Sequence, residues 1–71
     1  MSGRVPTHLG NVYFEFVQVG GQVRVCAIHE ETRIEAMAIA PIQATQQQMQ
    51  QLALGKLKRL VEKHQNAKRT N

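Results

Sequence analysis

Gly20-Gly21 constrains this chain more than any other pair of residues. Before it runs Val12 to Val19, a β-branched and aromatic stretch; after it comes Gln22 to Ile28, in which Val23, Val25 and Ala27 alternate with Arg24, Cys26 and Ile28. Two glycines supply the positive φ that a two-residue primed turn demands, so the segment folds as a hairpin with Val19 opposite Gln22 and Phe16 opposite Val25. This register sorts the side chains onto two faces. Phe14, Phe16, Val23, Val25 and Ala27 share one, and Tyr13, Glu15, Val17, Arg24, Cys26 and Ile28 share the other.

The polar cluster His29-Glu30-Glu31-Thr32 reads as a second turn, followed by a third strand from Arg33 to Ala40. Pairing Ile28 with Arg33 keeps the parity. Ile34, Ala36 and Ala38 then join the phenylalanine face, while Arg33, Glu35, Met37 and Ile39 join the mixed face, where Glu15 and Glu35 flank Arg24. Pro41 cannot continue a ladder and takes the chain out of the sheet. Thr45 and Gln48 have capping-box spacing, which starts a helix at Thr45. Met49, Leu52, Ala53, Leu57, Leu60 and Val61 recur at helical spacing, and Lys56, Lys58, Arg59 and Lys63 favour the negative end of the helix dipole, so the helix is expected to run to about Gln65.

The expected fold class is therefore α+β: a three-stranded antiparallel β-meander followed by one C-terminal amphipathic helix packed on one sheet face. Residues 1–11, which mix Gly, Pro, Thr, His and Asn without a period, are expected to be a flexible N-terminal arm. Residues 12–65 are expected to form the single β-β-β-α domain, and residues 66–71 a flexible C-terminal tail.

With 71 residues, folding buries only about 60% of the surface of the unfolded chain, so stability needs support. The single Cys26 excludes an intramolecular disulfide, and His8, His29 and His64 lack metal-ligand spacing and read as solvated, which leaves a partner chain. No apolar run reaches the ~20 residues of a membrane span, no signal peptide is legible, and the expected location is cytoplasmic. Cys26, in mid-strand, reads as a packing residue rather than a redox centre. Gly55 interrupts the helix with no packing reason in the sequence, although a helix-interior glycine costs about 1 kcal/mol relative to alanine.

The formal net charge is +4, with six of the nine basic residues near the C-terminal end. Lys56, Lys58, Arg59, Lys63, Lys68 and Arg69 are accordingly candidate nucleic-acid contacts, set against ordinary dipole complementation and solvation. The element order superficially resembles the double-stranded-RNA-binding domain. The preceding helix is missing, however, and the last helix starts with glutamines rather than lysines.

The pattern Phe14-Glu15-Phe16-Val17, Val19-Gly20, Val23-Arg24-Val25, Ala27-Ile28, Pro41, Ala44, Leu52-Ala53-Leu54 and Lys56-Leu57 resembles a family of short, uncharacterised bacterial proteins, a domain of unknown function, over about residues 12 to 61. Members sometimes carry the label serine hydroxymethyltransferase. That activity is rejected here, because 71 residues cannot enclose pyridoxal phosphate with its Schiff-base lysine and pyridinium partner. The resemblance implies a shared fold and no site residues. His29-Glu30-Glu31 also lacks the glycine that the family pattern places in this turn.

No catalytic, cofactor or metal motif is present, and the functional expectation is a small non-enzymatic interaction module without cofactor or small-molecule substrate. The alternative is a nucleic-acid-associated protein using the basic helix end and tail. The helix carries an apolar arc of roughly 200°, wider than one sheet face requires, so a homodimer is expected, with Leu54 and Val61 on the outer flank as candidate self-association residues and any other protein partner unspecified.

Overall fold

The computed structural model describes residues 2–69, except the side chains of Ser2, Lys68 and Arg69. It contains β1 (Ser2–Thr7), β2 (Gly10–Val19), β3 (Gln22–His29), β4 (Glu35–Pro41) and α1 (Gln46–Arg69). The strands form one antiparallel sheet in the order β1-β2-β3-β4, with α1 lying over β3 and β4. The fold is α+β as expected, but the sheet has four strands, not three.

The additional strand lies in the residues expected to be an arm. Val5 pairs with Val12 and Gly3 with Phe14, so β1 extends the sheet at its edge. An edge strand needs partners on one side only, which is why a segment with so little apolar content can hold this position. The β1–β2 turn closes through Thr7, whose Oγ1 donates to the Gly10 carbonyl at 2.8 Å and accepts from the Leu9 N–H at 3.0 Å. Gly10 has φ +103°, where an L side chain is strained, so the turn requires glycine there.

The central hairpin has the expected register, with Val19 opposite Gln22 and Phe16 opposite Val25. Of its two turn glycines only Gly20 has a positive φ (+62°), the sign pattern of a type II′ turn. The next register is two residues away from expectation: Ile28 pairs with Glu35, not Arg33. The loop takes up the difference. The His29 N–H donates to the Ile34 carbonyl at 2.8 Å and the Arg33 N–H to the His29 carbonyl at 2.7 Å, with Arg33 itself at φ +64°. A shift of two preserves parity, so every side chain keeps its face. It does separate Glu35 from Arg24, which now faces Ile39.

On the inner face Val12, Phe14, Val23, Val25, Ala27, Ala36 and Ala40 are buried against Met49, Ala53, Leu57 and Val61. The helix contributes one residue per turn, a narrow stripe, because the alanines of β3 and β4 admit it closely. Burying a side chain such as Leu57 or Val61 stabilises the fold by about 1.5–3 kcal/mol. The capping box forms as expected: the Thr45 N–H donates to Gln48 Oε1 at 3.0 Å, and the Gln48 N–H to Thr45 Oγ1 at 3.1 Å. The helix continues to Arg69, beyond the expected end near Gln65.

Candidate interaction surfaces

The strand registers arrange the face opposite the helix as a grid. Arg4, Tyr13, Ile28 and Glu35 make one row; Glu15, Cys26 and Met37 the next; Val17, Arg24 and Ile39 the third; Val19, Gln22 and Pro41 the last. Among the described residues no element covers it. Val17, Met37 and Ile39 are 48%, 47% and 59% exposed, whereas Tyr13, Cys26 and Ile28 are half-buried by their neighbours. Single exposed aliphatics are ordinary, but three on one uncovered face, two of them neighbours along β4, are not. The charges expected to pair around Arg24 do not. Among the described residues the ion pair present is Arg4 Nε to Glu30 Oε2 at 2.7 Å, leaving Glu15, Arg24 and Glu35 without one.

Both edges of the sheet carry features that hinder a further strand. The Ile42 N–H bonds the Gly21 carbonyl and the His29 N–H the Ile34 carbonyl, which fixes the even-numbered residues of β4 as those facing β3. Glu35, Met37, Ile39 and Pro41 turn their main chain outward. Of these, Met37 has its carbonyl taken by Lys56 Nζ at 2.8 Å, while Pro41 has no N–H and its carbonyl accepts from the Ala44 N–H at 3.0 Å. At the other edge the Glu30 N–H to Asn11 carbonyl bond places Val12 and Phe14 in the ladder toward β1, so Arg4 and Pro6 face outward. Both prolines therefore occupy outward edge positions where no ladder bond is lost.

On the helix, Val61 is buried at 2% exposure and Leu54 packs partly against the core, so the two candidate self-association residues belong to the fold more than to its surface. Leu52 and Leu60, read from the sequence as core, are the exposed ones, at 52% and 40%. The reason is the narrow stripe: residues one turn apart, at 49, 53, 57 and 61, take all the space above β3 and β4. Of the candidate nucleic-acid contacts, Lys56 is held at the β4 edge, while Lys58, Arg59 and Lys63 are exposed. At ~100° per residue Arg59 and Lys63 share a flank with Lys56, and Lys58 lies on the other. The side chains of Lys68 and Arg69 lie outside the described residues.

His29, expected to be solvated, is 1% exposed. It ends β3 on the inner face, with Nε2 2.7 Å from the Leu9 carbonyl and Nδ1 2.7 Å from Thr32 Oγ1. A carbonyl only accepts, so Nε2 carries a proton, and in the neutral ring Nδ1 then accepts from the Thr32 hydroxyl. The ring thereby ties the β1–β2 turn to the β3–β4 loop, and its period-2 spacing from Val23, Val25 and Ala27 is the signal that places it inside. His8 and His64 are exposed. No group of three or more His, Cys, Asp or Glu among the described residues is placed to hold a metal ion, and the grooves are open to solvent. Gly55 is exposed and a Cβ there would meet nothing within 4 Å; nothing in the structure explains it. Among the described residues no helix is long and apolar enough to cross a membrane.

Fold and surfaces define a small meander-plus-helix domain with one uncovered sheet face. The family described as Domain of unknown function (DUF6898) matches residues 9–64, most of the sheet and most of the helix, and the chain belongs to that family. No curated protein and no solved structure matches.

Proposed function

We propose that the protein is a non-enzymatic interaction module that works as a homodimer. The observation that carries this reading is the exposure of Val17, Met37 and Ile39 on one uncovered sheet face. A domain this small, without a disulfide, gains stability from a second chain that covers such a face. The titratable side chains support the same view: His29 is engaged in tying two loops together, and Cys26 stands between Glu15 and Met37 with no histidine or cation in its row to favour a thiolate. A cytoplasmic setting, where the free thiol stays reduced, is part of the proposal. Sedimentation equilibrium from about 1 to 200 μM tests it, a range suited to a weak isologous dimer. Reversible dimerisation is expected, and a single monomeric species throughout would overturn it.

A second reading, contact with nucleic acid, is supported by the exposed Lys58, Arg59 and Lys63. Three phosphate contacts would give a salt slope of roughly −2 to −3. A gel-shift titration at low and physiological salt decides, and absence of a complex at ~10 μM in both removes this reading.

A further inference from the structure

We infer that the docking surface is the open sheet face itself and that its occupant is a second copy of this chain, the two sheets packing face to face with the helices outside. This rests on the self-association proposed above and adds where it occurs.

Association through the sheet edges is disfavoured by Pro6, Pro41 and the Lys56 bond to Met37, so a partner must lie on a face. Charge selects the face. The helix holds Lys56, Lys58, Arg59, Lys63, Lys68 and Arg69 against Glu62 alone, and two such helices side by side repel. Beside the internal Arg4–Glu30 pair, the open face holds Arg24 against Glu15 and Glu35, so it carries no excess of positive charge in a chain whose formal charge is +4.

A surface that meets its own copy must complement itself. Here Arg24 on one chain finds Glu15 or Glu35 on the other, all three being unpaired within the chain, while Val17, Met37 and Ile39 supply apolar contact. Four strands ~4.8 Å apart and about seven residues long at ~3.3 Å each offer a footprint on the order of 450 Å² per copy. Twice that approaches the ~1,000 Å² at which specific interfaces begin, which places the dimer at the weak, reversible end. Two sheets packed ~10 Å apart leave room for these side chains to interdigitate.

The test is the dimer dissociation constant of four full-length chains, each first checked for a native circular-dichroism spectrum. Ile39→Glu and Arg24→Glu are expected to weaken the dimer at least ~10-fold, one by removing an apolar contact and engaging Arg24 within its own chain, where it stands directly opposite, and the other by setting like charges together, and Leu52→Glu on the helix to leave it as in the unsubstituted chain. Alkylation of Cys26, in the middle of the face, is expected to slow several-fold as the unsubstituted chain passes from monomer to dimer, an independent readout should a variant fail to fold. A dimer indifferent to Ile39→Glu and Arg24→Glu, with a Cys26 rate independent of concentration, would overturn the face assignment and leave self-association standing. A chain monomeric at every concentration would overturn both.

Discussion

Lys56 Nζ lies 2.8 Å from the main-chain oxygen of Met37, so a helix side chain caps a carbonyl on the outer edge of the sheet. The bond is exposed and its net contribution to stability is about 1 kcal/mol or less. Its greater effect is on what can approach β4, where a charged ammonium deters a further strand. Lys56→Met keeps most of the aliphatic stem and removes the charge. Its expected outcome is a nearly unchanged melting temperature with large assemblies accumulating over time by light scattering. Scattering that stays equal to that of the unsubstituted chain would show that the edge needs no cap.

His29 should behave as a core residue. His29→Ala removes a buried ring and leaves the Leu9 carbonyl without its partner, at a cost of roughly 2–4 kcal/mol in urea denaturation. His64→Ala on the exposed helix surface should change stability by no more than about 0.5 kcal/mol. Amide exchange in β1 and its turn should accelerate in the His29 variant before the helix does, because the ring holds that turn to the β3–β4 loop. Equal losses for the two histidines would remove the tie.

The two phenylalanines stack at 6.4 Å but are not equivalent, since Phe14 is buried and Phe16 half-buried near the end of the hairpin. Phe14→Ala should cost about 3–5 kcal/mol and unfold much of the population. Phe16→Ala should cost less, and Glu15→Ala, on the other face, no more than about 0.5 kcal/mol. Chemical denaturation that ranked Phe16 above Phe14 would reverse the order of burial.

What could be read in the sequence depended on whether a signal was local. Gly20-Gly21 and the Thr45 to Gln48 spacing specify geometry within a few residues, and both elements formed as expected. Strand β1 was illegible because Val5 is its one large aliphatic residue and Pro6 normally argues against a strand; its outward edge position removes that objection. His29 adjoins the polar run Glu30-Glu31-Thr32 and reads locally as part of a turn, although its parity with Val23, Val25 and Ala27 puts it on the inner face. The division of the helix leucines was set by tertiary packing. Leu52 and Val61 both fit the apolar arc, and the closeness allowed by the β4 alanines decides which one is buried.

Arg33 has φ +64° without the glycine freedom this conformation favours. A left-handed residue of this kind costs roughly 1–2 kcal/mol, and glycine returns part of that through its looser unfolded state. Arg33→Gly should therefore raise stability by about 0.5–1 kcal/mol in thermal or urea denaturation, without moving the Ile28 to Glu35 register. A loss of stability would mean that the guanidinium makes a contribution larger than the backbone strain.

The central claim, that two copies meet through the open sheet face, is tested most directly by isotope-filtered nuclear Overhauser spectroscopy on an equimolar mixture of labelled and unlabelled chain at a concentration where the dimer prevails. The account predicts intermolecular contacts among the methyl groups of Val17, Ile28, Met37 and Ile39, and none from Leu52 or Leu60. Intermolecular contacts confined to Leu52 and Leu60, with the sheet-face methyls showing only contacts within their own chain, would contradict it.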